Sequence, residues 1–257
     1  MIRAFFRSWL GAFRDGWELA RVLPLIVLAM MGIEFAQHLV ELHLGFFSAD
    51  AAVRKAASLQ PLRMAFGWPK MLVLWAIGLV TIRYCVSGDA RSAIRPSTVA
   101  MRRYGWVVLF QFIPFTAILY AGPILATVGL PASGLLAFRS VFGLGQQLLE
   151  PLLMLWFVNA ALGSNGYGPA GSARTTGWLY FWALPLMFVT RVPLGLLHQL
   201  LNTWPAGREP IMQWGLLLID ALVVGALAVV LPAVQVRIAR FIAERRGMGL
   251  LGNGAGE

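Results

Sequence analysis

Cysteine occurs once in the 257 residues, as Cys85, so no intramolecular disulfide can form and no cysteine metal site exists. Acidic residues are scarce, 11 Asp and Glu against 21 Lys and Arg, and charged side chains make up only 12% of the chain. No polar stretch between the apolar runs is long enough to bury a water-soluble core of its own, which excludes a second, soluble domain. No serine or threonine sits in a nucleophile elbow, and Cys85 has no adjacent histidine, so acyl transfer is unsupported. The glycine-rich stretch GSNGYGPAGSARTT (163–176) has neither a preceding strand nor the lysine of a phosphate-binding loop.

What the chain has is apolar residue, 59% of the total. Six segments approach the roughly 20 residues that a helix needs to cross about 30 Å of hydrocarbon: Val22 to Leu44, Pro69 to Val86, Gly105 to Leu130, Leu135 to Leu162, Gly177 to Leu201 and Ile211 to Val234. Backbone groups in lipid must be paired within the segment, and these runs are too long for barrel strands. The fold class read from them is all-α: a polytopic six-helix membrane bundle forming a single domain over 1–257.

Ahead of the first span, Ile2, Phe5, Phe6, Trp9, Leu10, Phe13 and Trp17 recur at helical spacing, with Arg3, Arg7 and Arg14 off that stripe. Residues 1–21 therefore read as a retained amphipathic helix in the headgroup layer. Arg3, Arg7, Arg14 and Arg21, then Arg83, Arg91, Arg95, Arg102 and Arg103, then Arg174, then Arg237, Arg240, Arg245 and Arg246 alternate onto one side. They outnumber Arg54, Lys55, Arg63, Lys70, Arg139 and Arg208 on the other, which places both termini in the cytoplasm. The net charge of +10 then reflects topology and attraction to anionic lipid at the cytoplasmic face, not nucleic acid. Trp68, Trp204 and Trp214 mark the outer boundary, and Tyr84, Trp106, Trp178 and Tyr180 the inner one.

In the outer loop, Ser48 is expected to cap a short helix with Asp50 in its first turn. Spans three and five each carry two prolines, Pro114 with Pro123 and Pro185 with Pro193, so both are expected to kink, as paired broken helices do in internally repeated transporters. Residues 247–257 (GMGLLGNGAGE) read as a disordered tail.

Polar residues inside the spans carry the functional reading. Glu34, Gln37, His38 and Glu41 share one face of span one, with His43 opposite. Span four has Gln146, Gln147 and Glu150; span five has Arg191, His198 and Asn202; span six has Gln213 and Asp220. An ionisable side chain at the bilayer centre costs about 2.5–3.5 kcal/mol even on insertion scales, so it faces protein or water and marks a functional hypothesis. The intramembrane cluster is therefore Glu34, His38, Glu41, Gln146, Glu150, Arg191, His198 and Asp220, with three deep carboxylates (Glu34, Glu150, Asp220) against one deep cation, Arg191. That imbalance points to a proton- or cation-linked role. Buried pairs that lock the bundle are the competing reading. Glu34, His38, Glu41 and His198 are the candidate metal ligands, as carboxylates and imidazoles at one-turn spacing. No organic cofactor is implied.

The aromatic-rich basic start, Pro24 opening span one, and the loop RYCVSGDARSAIRPSTVAMRRYGWVVL together resemble the YciC-like group of six-span bacterial inner-membrane proteins. The most specific part of the resemblance is Gly88 to Arg103. It implies an envelope protein of the bacterial inner membrane and carries over no catalytic residues. The functional expectation is a non-catalytic envelope or membrane-organisation factor with an outer-facing polar cavity. A proton- or cation-coupled small-solute transporter is the first alternative, and a membrane-embedded metalloenzyme the second.

Overall fold

The computed structural model describes residues 1–251, which form helices and connecting turns with no strand among them. In chain order the α-helices are α1 (Ile2–Val22), α2 (Pro24–His43), α3 (Ala51–Ser58), α4 (Pro61–Ala65), α5 (Gly67–Ser87), α6 (Ala90–Ala93), α7 (Thr98–Leu119), α8 (Ala121–Thr127), α9 (Leu135–Leu149), α10 (Met154–Leu162), α11 (Pro169–Thr176), α12 (Tyr180–Thr203) and α13 (Pro210–Arg245). Five helical stretches are long and apolar enough to cross a membrane: Pro24–His43, Pro61–Ser87, Leu135–Leu162, Pro169–Thr203 and Pro210–Arg245. The pair α7 and α8 makes a sixth if counted as one span bent by 75°. Along these helices Leu25, Leu72, Ile113, Leu136, Val141, Leu200 and Ile211 are all more than half exposed, as side chains facing lipid are.

The prolines act unevenly. Pro123 has no N–H for the Leu119 carbonyl and its ring crowds that turn, and α7 stops at Leu119. Pro114 is accommodated inside α7, and α12 runs through both Pro185 and Pro193. The other break falls in span four, where Pro151 follows Glu150 and the α-helix tightens to a 3₁₀ turn over Glu150–Leu153. Helix breaks thus fall in spans three and four, while α12 is continuous past Pro185 and Pro193. The carbonyl of Leu152, freed at that turn, accepts from Ser172 Oγ at 2.7 Å.

α13 is the axis of the bundle, packed by α1, α2, α5, α10 and α12. Its 36 residues are about 54 Å long, well beyond the apolar segment that ended at Val234. Beyond that point Val236, Ile238, Ala239, Ile242 and Ala243 are buried, and Phe241 stacks on Trp182 with ring centroids 3.7 Å apart. α1 lies along this inner half. Ala12, Gly16 and Leu19 are buried against it, and Asp15 Oδ1 pairs with Arg237 Nη2 at 2.6 Å. The apolar stripe of α1 therefore divides in two: Phe5, Trp9 and Phe13 pack on the core, while Ile2, Phe6, Leu10 and Trp17 face outward.

The arginines that charge counting assigns to the cytoplasmic side have jobs that the counting does not reveal. Arg83 donates to the carbonyls of Ser92 and Ala161 at 2.8 and 3.1 Å, Arg103 to that of Gly163, Arg240 to that of Cys85 at 2.6 Å, and Arg246 to that of Thr175 at 2.8 Å. Each guanidinium satisfies carbonyls at or near a helix C-terminus, where a cation also suits the dipole. In the outer loop the cap of α3 is Asp50, whose Oδ1 accepts from Ala52 N at 2.7 Å; Ser48 instead accepts from Asp50 N. Residues 249–251 of the segment read as a disordered tail are docked, with carbonyls of Gly249, Leu250 and Leu251 accepting from Tyr167, Asn159 and Ser164. Residues 252–257 lie outside the described residues.

Candidate functional site

The side chains read as one intramembrane cluster form two. The first joins the C-terminal halves of α2 and α12 to the N-terminal part of α13. Helical spacing puts Glu34, His38 and Glu41 on one face of α2, turned toward α13. His38 Nε2 lies 2.9 Å from Asp220 Oδ2, and its Nδ1 lies 3.0 Å from Glu41 Oε2. His198 Nδ1 is 2.8 Å from Asp220 Oδ1, and Asn202, one turn along α12, donates to Asp220 Oδ2 at 2.8 Å. Glu34, Glu41 and Asp220 are wholly buried. His43, as the spacing predicts, is exposed on the opposite side.

Two cations complete this cluster, and both were read from sequence only as outer-side charge. Arg63, carried by α4, donates through Nε to Glu41 Oε1 at 2.8 Å while its guanidinium lies over the Phe46 ring, 4.3 Å from the centroid. Lys70, in the first turn of α5, pairs with Glu34 Oε2. Gln37 donates to Glu41 Oε1 at 2.9 Å. Phe47, 3% exposed, sets its ring edge against His38, so the outer loop roofs the site. The expected surplus of unpaired carboxylates is thereby corrected: each of the three has a basic partner. The signal that could have found Lys70 was its place at the mouth of an apolar span, directly after Pro69.

The second cluster sits at the break in span four. Arg191 Nη2, midway along α12, lies 2.6 Å from Glu150 Oε2, and Gln235 Nε2 donates to Glu150 Oε1 at 2.7 Å. Glu150 is 2% exposed. The pair borders a cavity of about 240 Å³, also lined by Gln111, Gln146 and Tyr104. Gln146 thus belongs here and not with His38. Gln235 was missed because it lies beyond the apolar segment assigned to span six.

A third feature lies at the opposite end of the bundle. A groove of about 780 Å³ runs between α7, α10 and the start of α11. Its wall is Trp106, Leu109, Phe110, Ile113 and Trp156, with Arg102 and Arg103 above it. Arg103 is engaged with the Gly163 carbonyl, whereas Arg102 is exposed and has no acidic partner among the described residues. Opposite, Gly168 and Pro169 form the N-terminal edge of α11, which has no side-chain cap.

Comparison of the chain with protein-family models, with curated proteins and with solved structures gave no match to any of them.

Proposed function

We propose that this chain is a six-span protein of a bacterial inner membrane, with both termini cytoplasmic, that acts without conventional catalysis as a membrane-organisation factor by holding anionic phospholipid at its cytoplasmic face. On this reading α7 is the third span, about 33 Å long, and α8 lies along the outer surface. The outward residues of α1 divide into an apolar sector (Ile2, Phe6, Leu10, Trp17) and a basic one (Arg3, Arg7, Arg14), as at a lipid headgroup layer. The layout shared with YciC-like proteins supports the same compartment.

The observation that carries the proposal is the inner groove. Its apolar wall suits an acyl chain, and Arg102 with the uncapped start of α11 offers a cation and free backbone N–H groups for a phosphate. Native mass spectrometry of the chain released from nanodiscs of mixed phosphatidylglycerol and phosphatidylcholine tests it. Retained phosphatidylglycerol, lost several-fold in Arg102→Glu, is expected; equal retention of both lipids by both chains would reject the reading.

A coupled transporter is the second reading, favoured by the helix break at Glu150 beside a polar-lined cavity. Proton flux in proteoliposomes that Arg191→Gln abolishes would support it over the first.

A further inference from the structure

We infer that Glu34, His38, His198 and Asp220 form a binding site for a divalent transition metal of the zinc class, in the outer half of the bundle and independent of the inner lipid groove. One donor atom each from Glu34, His198 and Asp220 lies within 4.8 Å of the other two. His38 Nε2 adds a fourth, 2.9 Å from Asp220 Oδ2 and 3.8 Å from Glu34 Oε1. A tetrahedral ion with bonds of about 2.0–2.2 Å holds its donors about 3.3–3.6 Å apart, so small side-chain movements convert the present spacing into a coordination shell.

The surroundings are those a metal site requires. Neither buried oxygen of Glu34 has a hydrogen-bond partner, and Oε2 is in ion-pair contact with Lys70. His38 turns Nδ1 to Glu41, and Glu41 is itself fixed by Arg63 and Gln37. That carboxylate–imidazole arrangement orients the ring and leaves Nε2 to bind the ion. Asn202 steadies Asp220 from the far side. A scaffold that served only to link helices would not need a second carboxylate behind the imidazole.

Charge and donor type together account for the ion's class. The three carboxylates Glu34, Glu41 and Asp220 face two fixed cations, Lys70 and Arg63. His38 meets a carboxylate with each ring nitrogen, and no third lysine or arginine stands against the three carboxylates among the described residues. An incoming ion displaces to solvent whatever protons its donor atoms carry. Two imidazoles with two carboxylates suit zinc and related borderline ions, whereas magnesium and calcium call for all-oxygen shells.

The test uses the full chain without any histidine tag, in nanodiscs, with zinc chloride as probe. Equilibrium dialysis and elemental analysis are expected to give one zinc per chain in the presence of excess magnesium. His198→Gln and Glu34→Gln are expected to weaken zinc binding more than tenfold, and Glu41→Gln by about 10- to 100-fold through the orientation of His38. His43→Gln should change nothing. Thermal unfolding of each variant shows which are folded. Folded wild-type chain that takes up no zinc, or binding unaltered in folded His198→Gln and Glu34→Gln, would overturn the assignment.

Discussion

Glu150 Oε2 and Arg191 Nη2 lie 2.6 Å apart, tying the 3₁₀ break in span four to the middle of α12. Of the three deep carboxylates visible in the sequence, Arg191 takes this one alone, while Asp220 and Glu34 engage histidines and Lys70. Replacing Arg191 with leucine leaves a buried carboxylate beside an apolar side chain and should cost about 3 kcal/mol in unfolding free energy. Adding Glu150→Gln should recover part of that loss, whereas Glu34→Gln or Asp220→Asn should be merely additive with it. Reversible unfolding in mixed micelles measures all four.

Lys70 and Glu34 form the corresponding pair in the outer cluster. Lys70→Met should destabilise by about 1–3 kcal/mol, because the Glu34 carboxylate would stay buried with only His38 Nε2 nearby, at 3.8 Å. The double variant with Glu34→Gln should be more stable than Lys70→Met alone. Equal stability of the two would mean that Lys70 is dispensable to Glu34.

Close approach of α1 to α13 depends on Gly16, where an added Cβ would meet Val230 Cγ2 at 3.1 Å and Val229 Cγ2 at 3.3 Å. Gly16→Leu should prise the helices apart at a cost of about 1–3 kcal/mol. Phe6→Asp, on the outward sector, should leave bundle stability within about 0.5 kcal/mol and act only on membrane contact. Opposite results for the two would place the packing face of α1 on the wrong side.

At the start of α6, the Asp89 carboxyl accepts from Ser92 N at 2.9 Å and Arg91 N at 3.2 Å, and these donors hold it below its ordinary value of 3.8. A group whose folded value is depressed contributes above the unfolded value and loses that contribution as pH falls through the folded one. Hydrogen-exchange protection of the 91–92 amides should therefore be intact at neutral pH and decline only below about pH 4. Asp89→Ala should remove it at every pH, and Asp89→Asn should keep most of it at neutral pH.

The apolar segments were legible because lipid permits no alternative to long helices, and the polar face of α2 because spacing alone aligns residues 34, 38 and 41. What periodicity could not show is which polar residues meet across helices. Glu150 and His38 looked like members of one cluster, and only the packing around α13 separates them. Arg63 was hidden because a charge outside an apolar run reads as solvent-exposed, yet its loop folds back over α2, and Lys70 because a charge at the very end of a span reads as a boundary residue. The apolar stripe of α1 was correct as a pattern, but an apolar face does not say whether lipid or protein covers it; Gly11, Ala12 and Gly16 were the hint of a helix neighbour. The inner arginines gave the same ambiguity, since a carbonyl clamp such as Arg83 and an unpaired cation such as Arg102 are alike in sequence.

The lipid groove at the cytoplasmic face rests on the six-span topology, which single-cysteine labelling with a membrane-impermeant thiol reagent tests most directly. In a Cys85→Ala background, Val128→Cys at the exposed end of α8 should be modified from outside intact cells, and Arg102→Cys only after the inner membrane is opened. Modification of Arg102→Cys from outside, or of Val128→Cys only from within, would contradict the topology and with it the assignment of the basic groove to the cytoplasmic face.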